Sequence, residues 1–215
     1  MIKIISINVG RSSSAHQIAL QTAFTSHIDI LLVQEPYISR NTDRRITCKH
    51  PSFECFTPVD NWTIRPRVLT YTRKDTNFTF AQDCPNSTSE QGKEDVLFLT
   101  VKGPDRLCIQ IINVYNAPPG ATNPGAGISF LLLLADTHFP SKRILAGDLN
   151  LHHPNWNPSY QGSPSPKAPD LIRWLEDSNL FLLFEVDVPT HDHGNALDLC
   201  FASSSVLAGD ATAIV

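Results

Sequence analysis

Four apolar runs in this chain each deliver a polar side chain at their far end, and that recurrence limits the possible folds more than any bulk property does. Ile2-Lys3-Ile4-Ile5-Ser6-Ile7 runs into Asn8, and Ile30-Leu31-Leu32-Val33-Gln34 into Glu35. Cys108-Ile109-Gln110-Ile111-Ile112-Asn113-Val114 runs into Tyr115 and Asn116, and Ile144-Leu145-Ala146-Gly147 into Asp148. Short runs rich in Ile, Val and Leu and bounded by polar residues read as buried strands. A set of such strands carries carboxamides, carboxylates and a phenol to the points where the chain leaves its core. A fifth run, Gly194 to Phe201, holds Asp198 among apolar neighbours. Burying a carboxylate there is costly unless a partner or a metal lies close by.

The densest of these segments is Arg143-Ile144-Leu145-Ala146-Gly147-Asp148-Leu149-Asn150-Leu151-His152-His153-Pro154. Residues two apart in a strand point to the same side, so the spacing predicts that Asp148 and Asn150 face the same substrate atoms. An anionic acceptor beside an amide donor can polarise a water and hold an oxygen that develops charge. The same Gly-Asp-x-Asn pattern is also an ordinary turn signal, because Gly, Asp and Asn all favour strand ends.

A chain of 215 residues with 41% apolar content can bury a sizeable core, and it reads as one domain over residues 1–215. Its net charge of −4 removes the argument that a basic protein must bind nucleic acid, so any contact with a polyanion has to be local. Arg40, Arg44 and Arg45, and then Arg65, Arg67, Arg73 and Lys74, supply local positive charge, whether as a solvated face or as a contact surface. The five cysteines form no CxxC pair and no zinc-ligand spacing, and Cys108 and Cys200 fall in apolar strands as small core residues. The chain opens on a strand, with neither a leader nor a membrane span, so an intracellular protein with no membrane partner is expected. Three glycosylation sequons, at Asn61, Asn77 and Asn86, would matter only in an exported protein.

Ser12, Ser13 and Ser14 offer caps to a helix bearing Ala15, Ile18, Ala19, Ala23 and Phe24. Residues Arg40 to Trp62 read as irregular. Strands follow at Val68 to Thr72 and Val96 to Val101. Ile128 to Asp136 is too uniformly apolar for a surface helix and is expected to pack between a sheet and a loop. Pro154 to Pro169 reads as an ordered surface loop. Asp170 is expected to cap a helix bearing Leu171, Ile172, Trp174 and Leu175, with strands at Phe181 to Val186 and Ala196 to Ala202 after it. Many strands alternating irregularly with helices suggest two sheets packed face to face with helices outside.

In this order and spacing the segments resemble the endonuclease/exonuclease/phosphatase superfamily, the fold of pancreatic deoxyribonuclease and of the exonuclease III type of apurinic endonucleases. The resemblance runs from Ile2 to about Phe201. Within the superfamily the chain is most similar to the endonuclease domain of LINE-type, non-long-terminal-repeat retrotransposons. The residues that carry this likeness are Val33-Gln34-Glu35-Pro36-Tyr37, Arg65-Pro66-Arg67-Val68, Ala146 to Pro154, and Gly194-Asn195-Ala196-Leu197-Asp198-Leu199. The resemblance implies an α/β fold, a four-layer sandwich of two packed, mainly antiparallel β-sheets flanked by helices. It implies that Glu35 binds a divalent cation, Mg²⁺ or Mn²⁺, with the carboxamide of Asn8 beside it. Asp148 would orient or deprotonate the attacking water, Asn150 would bind the phosphate, Tyr115 would place a phenol near the scissile phosphate, and Asp198 would orient a catalytic imidazole. The implied substrate is the phosphodiester backbone of DNA, and the implied location is nuclear.

One departure from the pattern stands out. Family members carry a Ser-Asp-His triplet on a final strand, whereas this sequence ends Ala208-Gly209-Asp210-Ala211-Thr212-Ala213-Ile214-Val215. On that reading the last strand is missing, the domain is incomplete at its C-terminus and nicking is impaired. The alternatives are a pseudo-nuclease that binds nucleic acid without cutting it and a phosphatase of the same superfamily. His152, His153, His191 and His193 are expected to be loop residues rather than metal ligands or substitutes for the missing imidazole.

Overall fold

Side-chain alternation along the strands sorts the core into three layers, and the helices close it on both sides. A computed structural model describes residues 1–41, 44–59, 64–84, 91–134, 140–190 and 194–209, with only the backbone at 40, 41, 44 and 45. The elements in chain order are β1 (Ile4–Asn8), α1 (Ser13–Thr25), β2 (Ile30–Gln34), β3 (Ile38–Asn41), β4 (Arg44–Thr47), β5 (Phe53–Phe56), β6 (Val68–Arg73) and β7 (Thr79–Asp83). They continue with β8 (Val96–Lys102), β9 (Cys108–Tyr115), α2 (Ala126–Leu133), β10 (Arg143–Asp148), α3 (Ala168–Asp177), β11 (Leu180–Leu182), β12 (Asp198–Ser203) and α4 (Ser204–Leu207).

One sheet has the order β1-β2-β6-β5 and the other β11-β12-β10-β9-β8-β7. Each contains one parallel pair, β1 with β2 and β9 with β10, and every other pairing is antiparallel. Ile30, Leu32, Val68, Leu97, Leu99, Val101, Ile109, Ile111 and Ala146 meet between the sheets. The alternate residues point outward. Leu31, Val33, Leu69 and Tyr71 pack under Ala19, Leu20 and Ala23 of α1, and Val96, Phe98, Ile112, Val114 and Leu145 pack under α2 and α3. This is the expected four-layer α/β sandwich. Burying both faces of both sheets explains why strands such as β2, with all five residues buried, read as unbroken apolar runs.

Local signals set the helix ends with mixed success. Ser12 caps α1 as expected, its hydroxyl accepting from the Ala15 N–H at 3.2 Å. Asp170 does not cap α3, because that helix begins two residues earlier, at Ala168 after Lys167; the acid instead sits in the first turn, where it favours the helix dipole. The apolar stretch from Ile128 forms α2, buried along Ile128, Phe130 and Leu131 against the larger sheet. The segment read as irregular from Arg40 to Trp62 contains the β3–β4 hairpin and β5, whose pairing with β6 supplies an order that local composition does not reveal. The strand expected from Phe181 to Val186 is short, Leu180–Leu182.

Two arginines expected on the surface are interior. Arg73 lies between the rings of Phe24 and Phe53 and donates to the carbonyls of Ala23, Phe24 and Ile28, closing the C-terminal end of α1. Arg67 is half-buried beside Tyr115. The side chains of Arg40, Arg44 and Arg45 lie outside the described residues. Cys108 and Cys200 are only partly buried, and Cys48 is the buried thiol. Among the described residues no helix is long and apolar enough to cross a membrane.

The proline-rich loop after β10 is ordered by reciprocal bonds between His152 and Ser165, at 2.9 Å each. Trp156 anchors it from beneath, fully buried and donating to the Leu151 carbonyl at 2.9 Å.

Candidate active site

Strand β10 runs parallel to β9 and antiparallel to β12, with Tyr115, Asp148 and Asp198 in one register row across the three strands. In the facing sheet, Asn8 is paired with Gln34, one residue before Glu35. These side chains meet at one end of the space between the sheets, and Asn8, Glu35, Asp148 and Asp198 line one open groove that continues along β1, β10 and β12. The Asn8 Nδ2 donates to Asp148 Oδ2 at 2.8 Å, joining residues 140 positions apart and the two sheets with one hydrogen bond.

Glu35 sits just past β2 at φ +45°, a conformation unusual for a residue with a side chain. Three backbone bonds hold it there: its N–H donates to the Arg67 carbonyl at 2.9 Å, its own carbonyl accepts from Arg11 at 2.7 Å, and the Val9 N–H donates to the Gln34 carbonyl at 3.0 Å. Its carboxylate lies 2.7 Å from the Arg11 guanidinium and within hydrogen-bonding reach of the Tyr115 phenol. Asn8 Oδ1 accepts from the Gly10 N–H at 2.8 Å, which fixes the carboxamide so that its NH₂ points at Asp148.

Asp148 is 7% exposed. Burial, and then the charge of Asp198, push its carboxyl up to about 7, while the donors Asn8 and Asn150 act in the opposite direction. Asn150 lies beyond the strand at φ +46°; its N–H donates to Asp148 Oδ1 at 3.2 Å and its Nδ2 to the Asn116 carbonyl at 3.0 Å. A turn after the strand, not alternation along it, brings the Asn150 N–H to Asp148. Tyr115 is buried, and burial together with Glu35 and Asp148 pushes its phenol above the usual range, so it stays a proton donor. Asp198, expected to be a buried acid, is half-buried and faces the groove.

His152 stacks on Tyr160, with ring centroids 4.0 Å apart, and His153 packs beside Trp156; both are loop residues, as expected. His191 and His193 lie outside the described residues.

Several supporting residues carry no local sequence signal. Gln34 donates to Asn113 Oδ1 at 2.7 Å, and Asn113 donates to the Leu69 carbonyl at 2.9 Å, so a buried amide pair locks the sheets together just beneath the groove. Asn116 bonds to the Leu149 carbonyl and the Ile128 N–H while its own carbonyl receives Asn150. The Thr190 hydroxyl accepts from the N–H groups of Leu197 and Asp198, both at 2.9 Å, and fixes the start of β12. The turn-like Pro189-Thr190 was the only sequence sign of that arrangement.

The donor set around Glu35 is all oxygen, and among the described residues no three His, Cys, Asp or Glu groups converge on one point. A cation already stands against the Glu35 carboxylate in the form of Arg11. Few hard oxygen ligands at an open groove suit an ion that keeps much of its water, as Mg²⁺ does.

Residues 109–213 match the family described as Endonuclease-reverse transcriptase. No curated protein matches the chain. Among solved structures, the endonuclease domain of TRAS1, a telomere-specific non-LTR retrotransposon, is similar with a TM-score of 0.72 at 18% identity, covering 97% of this chain and 88% of that one. An AP endonuclease from Archaeoglobus fulgidus is similar at 0.55 and 13% identity, over 97% and 89% of the two chains. The Xenopus laevis APE2 catalytic domain is similar at 0.56 and 14% identity, over 96% and 84%. The chain shares the fold of these structures, and the family match covers just under half of its length.

Proposed function

We propose that this chain is a divalent-metal-dependent phosphodiester hydrolase that nicks DNA, of the retrotransposon endonuclease type. The observation that carries the reading is the bond from Asn8 to Asp148, which draws strand ends from both sheets into a single groove that also holds Glu35 and Asp198. Glu35 and Asn8 would hold Mg²⁺ or Mn²⁺, which when bound polarises a phosphoryl oxygen and stabilises the leaving oxygen. Asp148, whose carboxyl titrates near neutrality, accepts the proton of the attacking water. Asn150 uses the second hydrogen of its amide to hold a phosphate oxygen, its first being given to the Asn116 carbonyl. Tyr115 donates its phenolic hydrogen to the phosphate, and Asp198 completes the acid row on the far side of Asp148.

A supercoiled-plasmid nicking assay with Mg²⁺ or Mn²⁺ tests this. The wild-type chain should produce open circles, Asp148→Ala should lower the rate by ~10² to 10⁴, and His153→Ala should nick at the wild-type rate. Loss of nicking in His153→Ala with retention in Asp148→Ala would overturn the assignment. Binding of DNA with no nicking under any metal would favour a nucleic-acid-binding protein that has lost catalysis.

A further inference from the structure

We infer that Arg67 is a positioning residue that acts through Tyr115 and Glu35, an inference that rests on the reading of the groove as a hydrolytic site. Its side chain is 14% exposed; Nη2 donates to Asp95 Oδ2 at 2.8 Å and lies 3.4 Å from Glu94 Oε1, and Nε stands in ion-pair contact 2.5 Å from Asp95 Oδ1. Nη1 donates to the Thr122 carbonyl at 3.2 Å, pinning the loop that follows β9. The planar cation stands 5.6 Å from the centroid of the Tyr115 ring. The backbone of the same residue receives the Glu35 N–H at 2.9 Å and donates to the Glu94 carbonyl at 2.8 Å.

One residue therefore touches the phenol that would meet the phosphate, the backbone of the acid that would hold the metal, and the loop beside them. A stability role alone does not account for this choice. Burying a guanidinium with two carboxylates is a poor way to stabilise a fold, since packed apolar groups of the same volume commonly do as well. What an apolar residue cannot supply is a flat, fixed cation on the face of Tyr115. That cation holds the ring at one angle, and so fixes where the phenolic hydroxyl points. The contacts of Nη2 with Asp95 and of Nη1 with the Thr122 carbonyl give the guanidinium its orientation, which a lysine ammonium would lack.

The test is a double-mutant cycle read in two ways. In the nicking assay Arg67→Met should lower kcat ~10- to 100-fold with KM little changed, the scale usual for loss of a group that orients a site residue. Added to Tyr115→Phe, the same change should cost less than threefold more, because the residue acts through the phenol. Arg67→Lys should not restore the rate. Without any substrate, ¹³C-tyrosine NMR should show the Tyr115 signal, assigned by its loss in Tyr115→Phe, shifted and broadened in Arg67→Met while Tyr37 and Tyr160 stay in place. Should Arg67→Met fail to fold, Arg67→Lys keeps a cation for Asp95 and Glu94 and is read by the same spectrum. An unmoved Tyr115 signal, or rate losses that multiply in the double variant, would overturn the inference. The spectrum needs no nicking activity, so it separates failure of this inference from failure of the proposed hydrolysis.

Discussion

The space between the two sheets is one continuous layer with two unlike halves. At one end Ile30 and Leu32, Ile109 and Ile111, and Ile4, Ile144 and Ala146 fill it with apolar side chains. At the other end the same strands present Gln34, Asn113, Tyr115, Ser6, Asn8 and Asp148. Along β1, β2, β9 and β10 polar side chains follow the apolar ones toward one end, so acids and amides gather where these strands leave the apolar packing. Apolar packing without direction suffices for the first half. The second needs each amide and carboxyl to find its partner, since an unmet buried polar group is more costly than an ordinary hydrogen bond is favourable. Stability and chemistry are therefore assigned to different stretches of the same strands.

That division can be broken by substitution. Ile111→Ala in the apolar half should cost about 4 kcal/mol of unfolding free energy, measured by urea denaturation, while the fraction that remains folded nicks at the wild-type rate. Asn113→Ala in the polar half should cost less, about 2 kcal/mol, because its loss strands the Gln34 amide and the Leu69 carbonyl. It should also slow nicking, since Gln34 precedes Glu35. If the two variants had the same ratio of stability loss to activity loss, the halves would not be functionally distinct.

Acid sensitivity belongs to neither half and should trace to a residue outside the layer. His16, fully buried under α1 against Tyr71, accepts from the Tyr37 N–H through Nδ1, and burial lowers its pKa to about 4 from 6.5. A depressed folded pKa means that its contribution is complete above pH 6.5 and is lost as pH falls toward 4, because the unfolded chain takes up the proton first. Between pH 7 and 4.5 the wild type should lose about 2 kcal/mol through this group, and His16→Leu should lose correspondingly less over the same interval. An identical acid profile in the two proteins would show that His16 titrates normally.

The strands and their polar ends were legible in the sequence because alternation and β-branched composition act over a few residues. Asn8, Glu35, Tyr115 and Asp148 stand at the ends of such runs and Asp198 inside one, and folding brings them to one end of the sandwich. What local pattern could not reveal was the set of partners. Gln34 and Asn113 are 79 residues apart, and Asn150 and Asn116 are 34 apart. The interior position of Arg67 depends on Asp95 and Tyr115, neither of which is near it in the chain. A charged residue reads as surface until the fold supplies its counter-charge. The hairpin at β3 and β4 was missed for a similar reason, since its polar composition resembles a loop and only the pairing makes it a strand.

We propose that the polar half forms one metal-holding site around Glu35 and Asn8. Calorimetric titration of Mn²⁺ into the wild-type chain, Glu35→Ala, Asn8→Ala and His153→Ala tests it without reference to any substrate. One site is expected in the wild type and His153→Ala, with affinity reduced at least ~10-fold in Glu35→Ala and by a smaller factor in Asn8→Ala. Equal Mn²⁺ binding by the wild type and Glu35→Ala would contradict the assignment of the site.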